Sequence, residues 1–120
     1  MAKNLDVVLL TDYYGEMLTE NQRKFIDYYY NDDLSLSEIA ENEGITRQGV
    51  RDAIKRAEAQ LISFEEHLGL YRRNEALKSG LEEISELLKL IDEVNRKTIL
   101  SREINDATSR ISTLTQMLSE

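Results

Sequence analysis

Along most of the chain, apolar residues recur at steps of three and four, the period of a helix buried along one face. From Asn4 to about Glu16 the pattern predicts a helix with Leu5, Val8 and Leu9 on one side and Gly15 near its end. Thr19-Glu20-Asn21-Gln22 then has the form of a capping box, in which a hydroxyl and a side-chain amide satisfy free backbone N–H groups at a helix start. The helix it opens carries Gln22, Phe25, Ile26 and Tyr29 at helical spacing. It is expected to stop at Asn31-Asp32-Asp33, three residues that favour turns.

Ser35-Leu36-Ser37-Glu38 is a second capping box, with Leu34 and Ile39 placed to close a hydrophobic staple over it. This helix must be short, because Gly44 follows soon after and suits the left-handed position at a sharp corner. Thr46 caps the next helix, with Ile45 and Val50 as its staple pair. That helix is expected to bury Val50, Ile54, Ala57 and Leu61. A small residue (Ala40), a corner glycine (Gly44) and branched apolar residues (Ile39, Ile45, Val50) fall where a helix-turn-helix over about residues 35–61 requires them.

Gly69, in His67-Leu68-Gly69-Leu70, reads as a helix stop with Leu70 packing back, and a domain boundary is placed there: 1–69 as a four-helix domain, 70–120 as a helical arm. In the arm, Leu77, Leu81, Ile84, Leu88 and Ile91 form one stripe, widened by Leu87 and Val94. The phase fails across Asn95–Ser101, and a second stripe follows at Ile104, Ala107, Ile111, Leu114 and Leu118. Two helices with a break are expected, although no Gly or Pro marks the break and one bent helix stays open as an alternative. Helices of this length need a surface to pack on. Packing on the N-terminal domain of the same chain is one option; the near-heptad spacing makes a homodimer, with Leu77, Leu81, Ile84, Leu88, Ile91, Ile104, Ile111, Leu114 and Leu118 as its seam, the expected answer. Gly80 within the first stripe is read as a point of close helix approach.

Composition sharpens the picture. Proline is absent and there are only five glycines, which argues against a turn-rich β fold and for an all-α protein. There is no cysteine, hence no disulfide framework or thiol chemistry. The lone His67 has no second soft ligand for a transition metal, so no metal or cofactor is expected. The apolar run Val7–Leu10 is too short for a signal peptide, and no segment is long enough to span a bilayer, so a soluble cytoplasmic protein is expected. Glu82, Glu83, Glu86, Asp92 and Glu93 flank the apolar stripe and read as its solvated face; no nucleophile–base pair or phosphate loop appears, so neither an enzyme nor a small-molecule substrate is expected. Of Tyr28, Tyr29 and Tyr30, Tyr29 aligns with Phe25 and Ile26 and reads as core.

Charge poses the functional question. The net charge is −8, yet Thr46–Ala57 holds four basic residues and one acidic, so the remainder carries −11. Gln48, Arg51, Asp52, Lys55 and Arg56 project from the second helix of the helix-turn-helix roughly opposite Val50 and Ile54, with Arg47 on the flank. In such a motif the start of that helix meets base edges, Arg pairing with guanine and Gln with adenine. Thr46 with the adjacent N–H groups suits a phosphate, and Lys55 and Arg56 suit the backbone. The basic body usual for a nucleic-acid binder is missing. An ordinary solvated face, with no nucleic acid at all, therefore stands beside the DNA reading.

The stretch Leu18–Leu61 resembles region 4 of bacterial sigma factors through Glu38-Ile39-Ala40, Gly44, Val50, Arg56-Ala57 and Leu61. Over roughly residues 1–110 the chain resembles the YlxM family of small bacterial helix-turn-helix proteins, most specifically at Tyr13-Tyr14-Gly15, Leu18-Thr19, Tyr28-Tyr29-Tyr30 and Ile45-Thr46-Arg47-Gln48-Gly49-Val50. That resemblance implies an accessory or regulatory role in the signal recognition particle (SRP) pathway. Its implied partners are the targeting GTPase Ffh, its receptor FtsY, or the particle's RNA. The rival reading is a sequence-specific DNA-binding regulator using Arg47, Gln48, Arg51 and Lys55. A scaffold whose basic helix touches nothing is the third.

Overall fold

Side-chain caps and two left-handed glycines set the helix boundaries. The computed structural model describes residues 1–119. Helix α1 (Leu5–Tyr14) starts at Asn4, whose side chain accepts from the Asp6 N–H, and runs into a single tight turn at Gly15–Met17. Helix α2 (Glu20–Ile26) opens on the expected Thr19/Gln22 capping box. It widens into one π turn over Asp27–Asn31, where the Asp32 N–H reaches back to the Asp27 carbonyl. Asp33 then takes a left-handed conformation, φ 55°, and ends the helix. Helix α3 (Leu36–Glu43) opens on the Ser35/Glu38 capping box. Helix α4 (Arg47–Leu68) is capped by Thr46, whose hydroxyl accepts from the Gly49 N–H at 3.0 Å.

Gly44 (φ 67°) ends α3, and the N–H groups of Gly44 and Ile45 both turn back to the Ala40 carbonyl. Glycine, with no Cβ, adopts that conformation at the least cost, which suits it to the corner between α3 and α4. Gly69 (φ 63°) ends α4 in the same way. The chain does not pack back there as the sequence suggests. Leu70 is 42% exposed and begins α5 (Leu70–Lys97) at once, because its N–H is taken up by the Tyr14 hydroxyl.

The described residues form two units, one ending at Tyr71 and the other starting at Arg72. In the first, α1, α2 and α3 all pack on α4. Val50, Ile54, Ala57 and Leu61 have no exposed surface and form the spine of this core. Burying each of Val50, Ile54 and Leu61 contributes roughly 1.5–3 kcal/mol relative to exposure, and the Ala57 methyl less. The face of α1 differs from expectation: Val7, Leu10 and Tyr14 are buried, whereas Leu5 and Leu9 are exposed. Residues 5–10 are apolar apart from Asp6, so periodicity alone cannot choose a side.

In the second unit, α5 turns at residues 98–101 into α6 (Arg102–Ser119), giving a helical hairpin. The break between the two stripes is real, and Leu100 supplies the left-handed residue (φ 53°) in place of a glycine. Asn95 stitches the turn by donating to the Ser101 carbonyl and accepting from the Ser101 N–H. Leu81 and Leu88 on α5, and Thr108 and Thr115 on α6, are the other buried positions of the hairpin. Two of the nine residues expected as a dimer seam, Leu81 and Leu88, are therefore used inside one chain. Gly80 does not mark a close approach among the described residues, since a Cβ built there meets nothing within 4 Å. The architecture is all-α; no helix among the described residues is long and apolar enough to cross a membrane.

Candidate nucleic-acid interface

The corner at Gly44 fixes which side of α4 faces solvent. With Val50, Ile54, Ala57 and Leu61 turned into the core, Thr46, Arg47, Gln48, Arg51, Lys55 and Arg56 are all exposed. The Thr46 oxygen is engaged as the cap of α4, leaving its proton as a donor to an outside acceptor.

Electrostatically the six positions are not equivalent. Residues 1–71 contain seven basic and fourteen acidic side chains. All three lysines among the seven are drawn to carboxylates. Lys3 bonds Asp33, Lys24 bonds Glu43 at 2.8 Å, and Lys55 lies 3.9 Å from Glu58. The four arginines, Arg23, Arg47, Arg51 and Arg56, make no ion pair among the described residues, and three of them stand on α4. The guanidinium presents a planar, permanently charged fork suited to phosphate. Gln48 is tied down: its amide donates to Asp52 at 3.0 Å, one helical turn away. Of the residues read as base or backbone contacts, Arg47, Arg51 and Arg56 are thus available, while Gln48 and Lys55 must exchange an internal partner for an external one.

Two features escaped the sequence reading. Glu58 is buried on the same helix, accepting from the Tyr30 hydroxyl at 3.0 Å. Burial, together with that neighbouring carboxylate, pushes the Tyr30 phenol up to about 12. Tyr28 and Tyr30 are half-buried and packed against the core. A tyrosine three residues from a turn gives no sign that it will reach a carboxylate twenty-eight positions on. The Gln48–Asp52 contact joins residues one helical turn apart, a spacing at which side chains meet.

Residues 1–101 match the family model UPF0122, described as "Putative helix-turn-helix protein, YlxM / p13 like". The chain belongs to the UPF0122 (YlxM / p13-like) family. Among curated relatives, a UPF0122 protein of Thermoanaerobacter sp. (strain X514) is 40% identical over 110 residues, covering 92% of this chain and 94% of that protein. One from Halalkalibacterium halodurans is 40% identical over 114 residues, 95% and 98% of the two chains. One from Desulforamulus reducens is 51% identical over 80 residues, 67% and 68%. For this UPF0122 member the helix-turn-helix is the bend at Gly44 between α3 and α4, and the exposed side of α4 is its candidate contact face.

Proposed function

We propose that this UPF0122 protein is a non-enzymatic, cytoplasmic regulatory or accessory factor of the SRP pathway that grips a nucleic-acid backbone with the first half of α4. The observation that carries the reading is the contrast within residues 1–71: the lysines are drawn to internal carboxylates, while Arg47, Arg51 and Arg56 point outward unpaired. A cationic ridge on an acidic body suits a short, shaped target better than a long duplex. Phosphates beyond the ridge would meet carboxylates within the ~8 Å screening length. The SRP RNA is such a target, with Ffh and FtsY as the proteins it would accompany. The test is a titration of the full chain against SRP RNA at low salt, with pull-down from extract. Binding that falls steeply with salt, and recovery of the RNA with Ffh or FtsY, is the expected result. No RNA binding and a blank pull-down would overturn the reading.

The second reading, a DNA-binding transcriptional regulator, is favoured by the exposed N-terminal half of α4, the part that other helix-turn-helix proteins place in the major groove. It requires Gln48 to leave Asp52 and Lys55 to leave Glu58. Sequence-selective duplex binding exceeding that to RNA would decide for it.

A further inference from the structure

The α5–α6 hairpin has two unlike flanks. Beside Leu81 and Leu88 on one flank lies a polar groove with Lys78, Ser85, Asp92 and Ser112 in its walls. On the other flank Leu77, Ile84 and Ile91 run along α5, and Ile104, Ile111 and Leu118 along α6. Leu81 shares a groove wall with Thr115, and Leu88 with Thr108, which fixes the register of the hairpin. In that register Leu77 stands level with Leu118, Ile84 with Ile111, and Ile91 with Ile104. A second row widens the face, with Leu87 and Val94 on α5, Leu114 on α6 and Leu100 in the turn between them. Nine of these aliphatic side chains are at least 40% exposed. Together they offer on the order of 800 Å², about what each partner buries in a stable interface of standard size. That is more than a monomer usually leaves open as one patch.

The face itself selects the occupant. Both helices carry their apolar rows at alternating steps of three and four, the spacing of a coiled-coil seam, so the hairpin has the pattern of one half of a four-helix bundle. Each level pairs like with like: leucine with leucine, isoleucine with isoleucine. A second copy turned about an axis parallel to the helices therefore meets every level with a side chain of the same type. Its margins match in charge as well. Glu83 beside the α5 row and Arg110 beside the α6 row lie at nearly the same level, and neither makes an ion pair among the described residues. The same rotation brings Glu83 of one copy to Arg110 of the other, twice.

We infer that the α5–α6 hairpin is a homodimerisation element, closing face to face with that of a second copy into a four-helix bundle, α5 of each over α6 of the other. This goes beyond the nucleic-acid reading and stands or falls independently of it.

Light scattering on the full chain at micromolar concentration should give twice 13.9 kDa. Ile84→Glu should return the mass to 13.9 kDa with the helical circular dichroism kept, because Ile84 is already 41% exposed in the single chain. Ser85→Glu, on the polar flank, should leave the dimer intact. The native chain lacks cysteine, which permits a second measurement independent of any disruptive variant. Leu87→Cys protein mixed with Ala107→Cys protein should form a disulfide-linked pair on oxidation, while neither cross-links alone. A native chain of 13.9 kDa would overturn the inference and leave the face to a different protein. So would a dimer that ignores Ile84→Glu or is broken by Ser85→Glu, and so would Leu87→Cys cross-linking to itself.

Discussion

Tyr14 and Glu65, fifty-one residues apart, hold the end of α1 against the last turns of α4: the phenol donates to the carboxylate at 2.7 Å. The same hydroxyl accepts from the Leu70 N–H at 3.0 Å, and the carboxylate oxygen also accepts from the Tyr71 N–H. Two N–H groups at the start of α5, which have no carbonyl within their own helix, are satisfied from α1 and α4. Burial and the adjacent Glu65 raise the Tyr14 phenol above its usual range, so it remains the proton donor at physiological pH. Tyr14→Phe keeps the packing and removes the hydroxyl, leaving Leu70 N–H without this partner. Urea unfolding should show a loss of about 1–3 kcal/mol. An unchanged midpoint would mean that water replaces the phenol without penalty.

The corner of the helix-turn-helix makes a sharper prediction. A Cβ added to Gly44 meets nothing within 4 Å, so any cost of Gly44→Ala comes from its φ of 67° and not from a clash. That cost is about 1–2 kcal/mol, and Gly44→Asn should recover much of it, because Asn tolerates the left-handed region. Thr46→Ala, which removes the cap of α4, should cost about 1 kcal/mol by thermal or urea unfolding. Equal losses for Ala and Asn at position 44 would contradict this account.

These corners were legible because caps and left-handed glycines are local: Thr19 with Gln22, Ser35 with Glu38, Gly44, Thr46 and Gly69 act on the residues beside them. The spine of α4 was legible because its polar residues leave only one apolar face. The face of α1 was not, since its apolar residues surround the helix and only contact with α4 selects Val7, Leu10 and Tyr14. Nor was the π turn at Asp27–Asn31, which no residue type announces. Periodicity alone put Gln48, Arg51, Lys55 and Arg56 on the side of α4 away from Val50 and Ile54, and the four are exposed. That three arginines stay free while Lys55 leans toward a buried Glu58 depends on long-range packing that places Tyr30 beside Glu58.

Asp52 is the one acidic residue within Thr46–Ala57, and it also holds Gln48. Asp52→Asn should therefore strengthen nucleic-acid binding, by removing repulsion of phosphate and loosening Gln48. Arg51→Ala should weaken it and lower the salt slope by about one. Fluorescence anisotropy across a salt series measures both. A weakened Asp52→Asn, or an Arg51→Ala with native affinity and slope, would place the binding face elsewhere.

Acid should destabilise the first unit through two ion pairs. The Lys24 ammonium holds the Glu43 carboxyl below its ordinary 4.5, and Lys3 holds Asp33 below 3.8. A carboxyl depressed in the fold binds its proton more readily when unfolded, so lowering the pH favours the unfolded chain. The contribution is fully present above pH 4.5 and fades as pH falls through that value to the lower folded one. Urea midpoints measured downward from pH 6 should drop over this range, and Lys24→Met should flatten part of the drop. An acid limb identical in Lys24→Met would exclude this pair as its source.

The hairpin turn tests whether polar stitching or apolar burial dominates where the two compete. Leu81, Leu88 and Asn95 occupy successive seven-residue positions on the buried side of α5, and only Asn95 is polar. Burial alone predicts that Asn95→Leu would continue the seam and stabilise the hairpin. The geometry says otherwise. The Asn95 side chain donates to the Ser101 carbonyl at 3.0 Å and accepts from the Ser101 N–H at 2.9 Å, so leucine would leave the half-buried Ser101 N–H without this partner and the Ser101 carbonyl with the Asn105 N–H alone. It would also leave Leu100, whose left-handed conformation costs about 1–2 kcal/mol, held by its N–H bond to the main-chain carbonyl of residue 95 without the stitch beside it. Asn95→Leu should therefore destabilise by about 1–3 kcal/mol, with amide exchange rising first at Leu100 and Ser101. Asn95→Asp, which keeps the acceptor and loses the donor, should fall between the two. A leucine variant more stable than the native chain, with slow exchange at Ser101, would show that the turn holds itself and that Asn95 is dispensable.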